Sequence, residues 1–191
     1  TPFQNSLGLA YRNGSKYERA SRAPLLRRTN AEPFSLGSAC ILREKNDWHM
    51  WYTSFESWHK SNGGIQPRYH IRHALSCDGL RWKRFNHKAI SSSGCEDECI
   101  ARPSVRKSPK GYEMYYCYRG TNYKLGMARS EDGHNWRCMN KEFRFIESKG
   151  KWDDSMNCYP CHFEHQSSEY MLYCGNEYGK GGLGIAVKET G

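Results

Sequence analysis

Short runs of alternating apolar and polar residues recur along the chain, and most end at a glycine turn. The segments that begin at Leu7, Ile71 and Leu125 each consist of such a run, an Asn-Gly or Asp-Gly pair, and then an aromatic residue. Alternation with period two predicts half-buried strands, and these dipeptides are typical of type I′ hairpin turns. A fourth copy of the strand alone begins at Leu183. The pattern therefore predicts a structural repeat.

The alanines of these four copies, at positions 10, 74, 128 and 186, set the period at 54 to 64 residues. A second strand repeats in phase with them. Its copies are Trp48–Tyr52, Tyr112–Tyr116 and Tyr170–Tyr173. A preceding strand repeats as well, and we align its copies on Ser38, Pro103 and Pro160.

Each repeat therefore contains four antiparallel strands, which is the composition of a propeller blade. We expect an all-β chain that forms one β-propeller domain, with a β-sandwich as the alternative. The blade fragments are expected at about 1–30, 31–90, 91–146 and 147–191. This amounts to about three blades, fewer than the four to eight of a closed ring. We therefore expect that further blades are missing, or that exposed blade faces self-associate.

Composition narrows the classes of partner. Lys and Arg number 29 against 20 Asp and Glu, so the net charge is +9. The basic residues are scattered along the chain rather than clustered on one segment, so we do not expect a nucleic-acid partner. No run approaches 18 apolar residues, so we expect no membrane span. The N-terminal residues lack a basic region followed by an apolar run, so we expect no signal peptide.

Nine cysteines are an odd number, which leaves at least one without a partner in the chain. Cys158 and Cys161 have the spacing of a zinc ligand pair, but they flank Tyr159-Pro160 at the start of a predicted strand. We therefore favour reduced, buried thiols over structural zinc, and a reducing cytoplasm as the compartment. No motif predicts a cofactor or a metal.

Candidate catalytic residues follow from the inner strand. Six residues before Ser38, Pro103 and Pro160 stand three acids. Because equivalent loops of successive blades meet at one mouth of the channel, these acids should converge. Glycoside hydrolysis uses such carboxylates as acid, base or nucleophile. The alternative is a set of solvated loop acids. The candidate acids are Glu32, Asp97 and Asp154, with Glu98 and Asp153 as adjacent alternates.

A second ring of candidates lies at the ends of the second strands. Four residues after Trp51, Tyr115 and Tyr173 stand Phe55, Arg119 and Glu177. An arginine there suits a carboxylate or a sugar hydroxyl, and nearby aromatic rings suit sugar faces, although core packing is the alternative for each ring. The candidate substrate-binding residues are Glu98, Tyr118, Arg119, Trp152, Tyr159, Asn176 and Glu177.

These residues carry a family likeness. The chain resembles the five-bladed propellers of the arabinanase, xylosidase, levansucrase and invertase group. It is most similar to uncharacterised, glycosidase-related bacterial proteins associated with surface-polysaccharide gene clusters. The segments that carry the resemblance are 32–34, 50–52, 96–99, 117–119, 152–153, 158–160 and 175–179.

The resemblance implies a glycoside hydrolase-like activity on an oligo- or polysaccharide. Two positions depart from the family pattern: Ala31 stands where such proteins tend to carry His, and Ser38 where they tend to carry Asp. The alternative function is therefore a glycan-binding or scaffolding propeller without catalysis.

Overall fold

The computed structural model describes residues 3–61, 64–90, 99–147 and 150–189. Strands dominate this part of the chain, so the all-β expectation is confirmed. The strands are β1 (Ala10–Asn13), β2 (Lys16–Arg19), β3 (Leu36–Glu44), β4 (Asp47–Ser61), β5 (Gly64–Ser76), β6 (Lys83–Arg84), β7 (Ile100–Ser108), β8 (Gly111–Arg119), β9 (Tyr123–Ser130), β10 (Arg137–Cys138), β11 (Cys158–His165), β12 (Ser168–Cys174) and β13 (Leu183–Val187).

The strands form four antiparallel sheets in chain order. They are the hairpin β1–β2, the four-stranded sheets β3–β6 and β7–β10, and the three-stranded sheet β11–β13. The first strand of each larger sheet, β3, β7 or β11, lies at one edge of that sheet, which we call the inner edge, and β7 contacts both β3 and β11. The predicted propeller of four-stranded antiparallel blades, with about three blades in this chain, is confirmed.

The segment α1 (Asn176–Gly179) has the hydrogen-bond pattern of one helical turn. However, Glu177 and Tyr178 have φ values of 52° and 60°, in the left-handed region, so α1 is a tight turn between β12 and β13. No helix in the described ranges is long and apolar enough to cross a membrane.

The repeated Asp-Gly turns are built differently from the type I′ hairpins that we predicted. A type I′ turn needs positive φ at both central residues. In the Asp78-Gly79 and Asp132-Gly133 turns only the glycines have left-handed backbone, with φ values of 72° and 73°. The carboxylates of Asp78 and Asp132 instead accept bonds from the backbone N–H groups that follow, at 2.7 to 2.8 Å. These bonds hold the pKa of both carboxyls below its usual range.

Facing sheets pack through large side chains. Trp51 on β4 is fully buried against Met114 and Trp136 of the next sheet. Its indole N–H donates to Gly133 O at 2.8 Å, and the indole of Trp136 donates to the same carbonyl at 3.0 Å. A Cβ at Gly133 would lie 3.3 Å from the Trp51 ring. Glycine is therefore required at this turn both for its positive φ and for this close approach.

Candidate functional site

A β-bulge interrupts the inner strand of all three larger sheets at one equivalent position. The pairing with the second strand shifts between Gly37 and Cys40, between Ala101 and Ser104, and between Cys158 and Cys161. The residues directly after Gly37, Ala101 and Cys158 have left-handed φ values of 51°, 58° and 58°. These residues are Ser38, Arg102 and Tyr159.

Left-handed backbone is uncommon for a residue with a side chain, and strain of this kind collects at functional sites. Three blades repeat it at the same register. All three bulge residues line one cavity of about 270 Å³ where the inner strands meet. We call this cavity the channel-mouth pocket. Its lining is Phe3, Asn5, Gly37, Ser38, Thr53, Phe55, Pro67, Tyr69, Ala101, Arg102, Arg119, Tyr123 and Tyr159.

Tyrosine rings form one wall of this pocket. The hydroxyls of Tyr69 and Tyr123 share a hydrogen bond. The ring of Tyr123 lies 6.3 Å from that of Tyr159, and Tyr178, which is not a lining residue, packs against these two rings at 5.9 and 6.3 Å. Burial raises the pKa of Tyr159 to about 12 and that of Tyr123 further. Both hydroxyls are therefore neutral at physiological pH. The Tyr159 hydroxyl can donate to a ligand, whereas that of Tyr123 already shares a bond with Tyr69.

Two arginines supply positive charge to the pocket. The guanidinium of Arg102 lies 4.4 Å from the centre of the Tyr159 ring. That of Arg119 donates to Gln66 Oε1 at 3.1 Å and to Pro67 O at 3.0 Å. Both of these acceptors are uncharged, so they hold the Arg119 guanidinium in place without neutralising its charge.

Glu32 is not part of this pocket lining; it is 2% exposed and lies against the Tyr52 and Ser54 side chains of β4. Its carboxylate accepts from the Tyr52 hydroxyl at 3.0 Å and the Ser54 hydroxyl at 2.8 Å, and it pairs with Arg84 Nη1 at 2.8 Å. Arg72 Nε lies 3.7 Å away. This network compensates the buried charge fully, which is the arrangement of a structural ion pair.

Asp153, rather than Asp154, occupies the position equivalent to Glu32. Asp153 is 1% exposed and accepts from the Tyr173 hydroxyl at 2.7 Å, over the same 20-residue separation as Glu32 and Tyr52. Asp154 is half-buried and accepts from Asn176 Nδ2 at 3.0 Å. Counting back six residues from the bulge residue Tyr159 also gives Asp153, so the predicted alignment was one residue out of phase here.

The other predicted binding residues are spread over several environments. Arg119 and Tyr159 line the channel-mouth pocket. Tyr118 packs beside the core between the two four-stranded sheets. Trp152 stacks on Tyr173 at 5.6 Å, and a Cβ at Gly175 would lie 2.3 Å from its ring.

The turn after β12 holds the remaining two. Asn176 Oδ1 accepts from the backbone N–H of Met156 at 2.8 Å, which ties this turn to the loop before β11. Glu177 is 71% exposed in its side chain and pairs with Lys180 at 3.0 Å. Asp97 and Glu98 lie outside the described residues.

Arg102, Tyr69 and Tyr123 line the pocket but were not among the predicted residues. A usable signal was present in the sequence. Tyr52, Tyr116 and Tyr173 occupy equivalent positions on the second strands of their sheets. When the repeats are aligned on these tyrosines, Arg102 and Tyr159 occupy the same alignment position as Ser38. We instead aligned Ser38 with Pro103 and Pro160, which lie one residue after the equivalent positions Arg102 and Tyr159.

The cysteines are mainly thiols. Seven cysteines in the described ranges are thiols rather than disulfides, whereas Cys138 is disulfide-bonded, contrary to the expectation of reduced cysteines. Burial raises the pKa of both Cys117 and Cys158 to about 12, so these two are protonated. No cluster of three or more potential metal-ligating side chains occurs among the residues that the structure describes.

Two relatives from Mycobacterium tuberculosis match nearly the whole chain. They are Uncharacterized protein MT1551 of strain CDC 1551 / Oshkosh and Uncharacterized protein Rv1502 of strain ATCC 25618 / H37Rv. Each is 35% identical over 190 residues, which is 99% of this chain and 63% of the relative. The chain thus spans less than two thirds of the length of these relatives. No protein-family model matches the chain.

Several solved structures that share this fold are described as glycoside hydrolases. One described simply as a glycoside hydrolase superposes with a TM-score of 0.66 and 20% identity, over 96% of this chain and 57% of that one. Bombyx mori GH32 beta-fructofuranosidase BmSUC1 superposes with a TM-score of 0.61 and 18% identity, over 80% of this chain and 34% of that one. Zg3597, a family 117 glycoside hydrolase of Zobellia galactanivorans, superposes with a TM-score of 0.61 and 16% identity, over 80% of this chain and 50% of that one. At these identities the likeness shows the fold.

Proposed function

We propose that this protein is a carbohydrate-active propeller that binds an oligo- or polysaccharide in the channel-mouth pocket. The observation that carries the proposal is the convergence of three strained bulge residues, one from each blade, on a single pocket walled by tyrosines. Tyrosine rings offer apolar faces to a sugar ring and hydroxyls to its oxygens. The glycoside hydrolase fold supports the same substrate class.

Within this proposal the activity is glycoside hydrolase-like, with Glu32, Asp97 and Asp154 as candidate carboxylates. The chemistry needs two carboxyl groups roughly 5 to 9.5 Å apart across the scissile bond. Asp97, which lies outside the described residues, is the acid to test first, because Glu32 is committed to Tyr52 and Arg84 and Asp154 is hydrogen-bonded to Asn176.

The second candidate function is glycan binding without catalysis. It is favoured by one observation: among the described residues, the lining of the channel-mouth pocket includes no Asp or Glu. A binding propeller needs the tyrosine wall and the arginines but no acid pair.

A paired binding and turnover experiment tests both functions. A panel of oligosaccharides would be titrated by calorimetry and assayed for reducing-end release. We expect Tyr159→Ala to weaken binding, and Tyr17→Ala, an exposed hairpin residue, to leave it unchanged. For a hydrolase, Asp97→Asn should abolish turnover and keep binding. Binding without turnover selects the second function, and no binding by any sugar rejects both.

We further propose that another blade covers the outer face of the β11–β13 sheet, from further chain or from a second copy. The supporting feature is the set of apolar side chains exposed on that face. Among the described cysteines, seven thiols against one disulfide-bonded residue, Cys138, support a cytoplasmic location, since a reducing compartment preserves thiols. Cell fractionation with an antibody to this chain tests the location.

A further inference from the structure

Arg102 is an arginine whose side chain is left without a charged partner in the part of the chain that the structure describes. Its guanidinium makes a ring contact with Tyr159, but no hydrogen bond or ion pair to any side chain in the described ranges. Its backbone N–H donates to Thr53 Oγ1 at 3.2 Å, which fixes the bulge. The side chain is therefore exposed in the pocket from a backbone position that is rigid and strained.

Arg106, four residues further along β7, is an arginine with a structural role, and its ion pairs can be compared with the surroundings of Arg102. It pairs with Glu113 at 2.5 Å, Glu164 at 2.9 Å and Glu169 at 2.7 Å, which links two neighbouring sheets. Within this one strand, Arg106 is paired with three carboxylates, whereas the Arg102 guanidinium has no charged partner among the described residues.

Arg119 adds a second cation whose orientation is already set. Besides Gln66 and Pro67, it contacts Cys99 Sγ at 3.2 Å, and its guanidinium lies 5.6 Å from the centre of the Tyr69 ring. An arginine fork that is held in advance loses little side-chain entropy when it binds an anion. The described lining thus combines two guanidinium groups with tyrosine rings and no carboxylate.

We propose that the channel-mouth pocket binds an acidic sugar residue, with the sugar's carboxylate paired to Arg102 and its ring against the tyrosine wall. Arg119 supplies the second positive charge. This inference rests on the proposed carbohydrate-binding function and names its substrate class. Guanidinium and carboxylate groups match in geometry, so the pair discriminates against a neutral sugar of the same shape.

Matched sugars test the inference. Oligogalacturonates and oligoglucuronates would be titrated by calorimetry beside their carboxyl-reduced, neutral counterparts, and sugar 1-phosphates would form a third arm. The variants are Arg102→Gln, Arg102→Lys and Arg137→Gln, the last being an exposed arginine outside the pocket. We expect acidic oligomers to bind at least tenfold more tightly than the reduced ones, because hydrogen bonds to charged groups are the stronger kind.

Arg102→Gln should weaken the binding of acidic sugars about 10-fold to 100-fold and leave the binding of neutral sugars unchanged. Arg102→Lys should retain part of the affinity for acidic sugars. Arg137→Gln should bind both kinds of sugar with the affinity of the wild type. Binding of neutral sugars at equal or higher affinity overturns the acidic-sugar inference and keeps the proposed function. Failure of every sugar overturns both. Preference for the phosphates over the carboxylates overturns the carboxylate assignment, and loss of that preference in Arg102→Gln then identifies the anion as phosphate.

Discussion

The Tyr173 hydroxyl donates a 2.7 Å hydrogen bond to Asp153 Oδ2, and the Tyr52 hydroxyl donates the corresponding bond to Glu32 at the equivalent position of an earlier repeat. Both carboxylates are almost fully buried. Their surroundings differ, however. Glu32 has Ser54 and Arg84 as further partners, whereas Asp153 Oδ1 is buried and has no hydrogen-bond partner among the described residues.

This difference predicts unequal costs for the same mutation. Tyr173→Phe removes the one side-chain donor that the described residues offer to Asp153 and leaves a buried carboxyl unpaired, so we expect a loss of about 2 to 3 kcal/mol in unfolding free energy. Tyr52→Phe leaves the Ser54 and Arg84 bonds in place and should cost about 1 kcal/mol. Urea denaturation of both variants measures the difference. Equal costs would show that the partners around Glu32 do not compensate its charge.

The repeat pattern predicted most of the fold because the repeats keep the same alternation of apolar and polar residues even where their residues differ. The alanines at 74, 128 and 186 do occupy one register, paired with Met50, Met114 and Met171 on the second strands. The second strand of the last repeat was nevertheless placed one residue late: Leu172, not Tyr173, is equivalent to Trp51 and Tyr115.

The site was harder to predict than the fold because a bulge adds a residue without any change in composition. A β-bulge turns the following side chains to the other face, and no residue type marks it here: the bulge residues are Ser38, Arg102 and Tyr159. An error of one residue at the bulge exchanges Asp153 for Asp154. For the same reason Arg102 was missed, because the alignment placed Pro103 instead of Arg102 at the position equivalent to Ser38.

Thiol reactivity should follow burial. Cys77 and Cys161 are exposed, and we expect both to react with Ellman's reagent within minutes at pH 8. Cys117 and Cys158 are buried with raised pKa values of about 12, so they should react only after denaturation. Mass spectrometry of the labelled peptides checks this. Fast native labelling of Cys117 would mean that the contact between the neighbouring blades opens readily.

Acid should destabilise the fold through His73. This side chain is 1% exposed, and burial, followed by His49, His134 and His87 nearby, lowers its pKa from 6.5 to about 3. The unfolded chain therefore binds a proton between pH 6.5 and about 3 that the native chain does not. Stability is full above pH 6.5 and falls as the pH drops through this window, by about 1.5 kcal/mol between pH 6.5 and 5 from this group alone.

His73→Gln removes the titrating group and should flatten that part of the pH profile, although it also lowers stability at pH 7 because His73 bonds His49 and His134 at 3.1 Å. His165→Gln, at an exposed position of β11, serves as the control and should leave the slope unchanged. Urea denaturation between pH 7.5 and 5 gives both slopes. An unaltered slope in His73→Gln would assign the acid sensitivity to other groups.

The outer face of the β11–β13 sheet should behave as an unsatisfied blade surface. Side chains that face one another across these strands are exposed to between 36% and 70%, and on the opposite face Met171 and Ala186 pack against the preceding sheet. Contiguous apolar surface of this kind is rare on isolated monomers. The exposed residues are Phe163, Leu172, Leu183, Ile185 and Val187.

We therefore expect this 191-residue chain to self-associate with rising concentration and to bind the dye ANS. Ile185→Lys places a charge in the middle of the face and should suppress both, whereas Ile146→Lys, at an exposed position outside the sheets, should suppress neither. Sedimentation velocity across a concentration series measures the association. Because a covering blade would bury the same residues, extending the chain to the full length of its relatives should abolish dye binding in the same way as Ile185→Lys. A monodisperse monomer that binds no dye would mean that this face is stable in water without a covering blade.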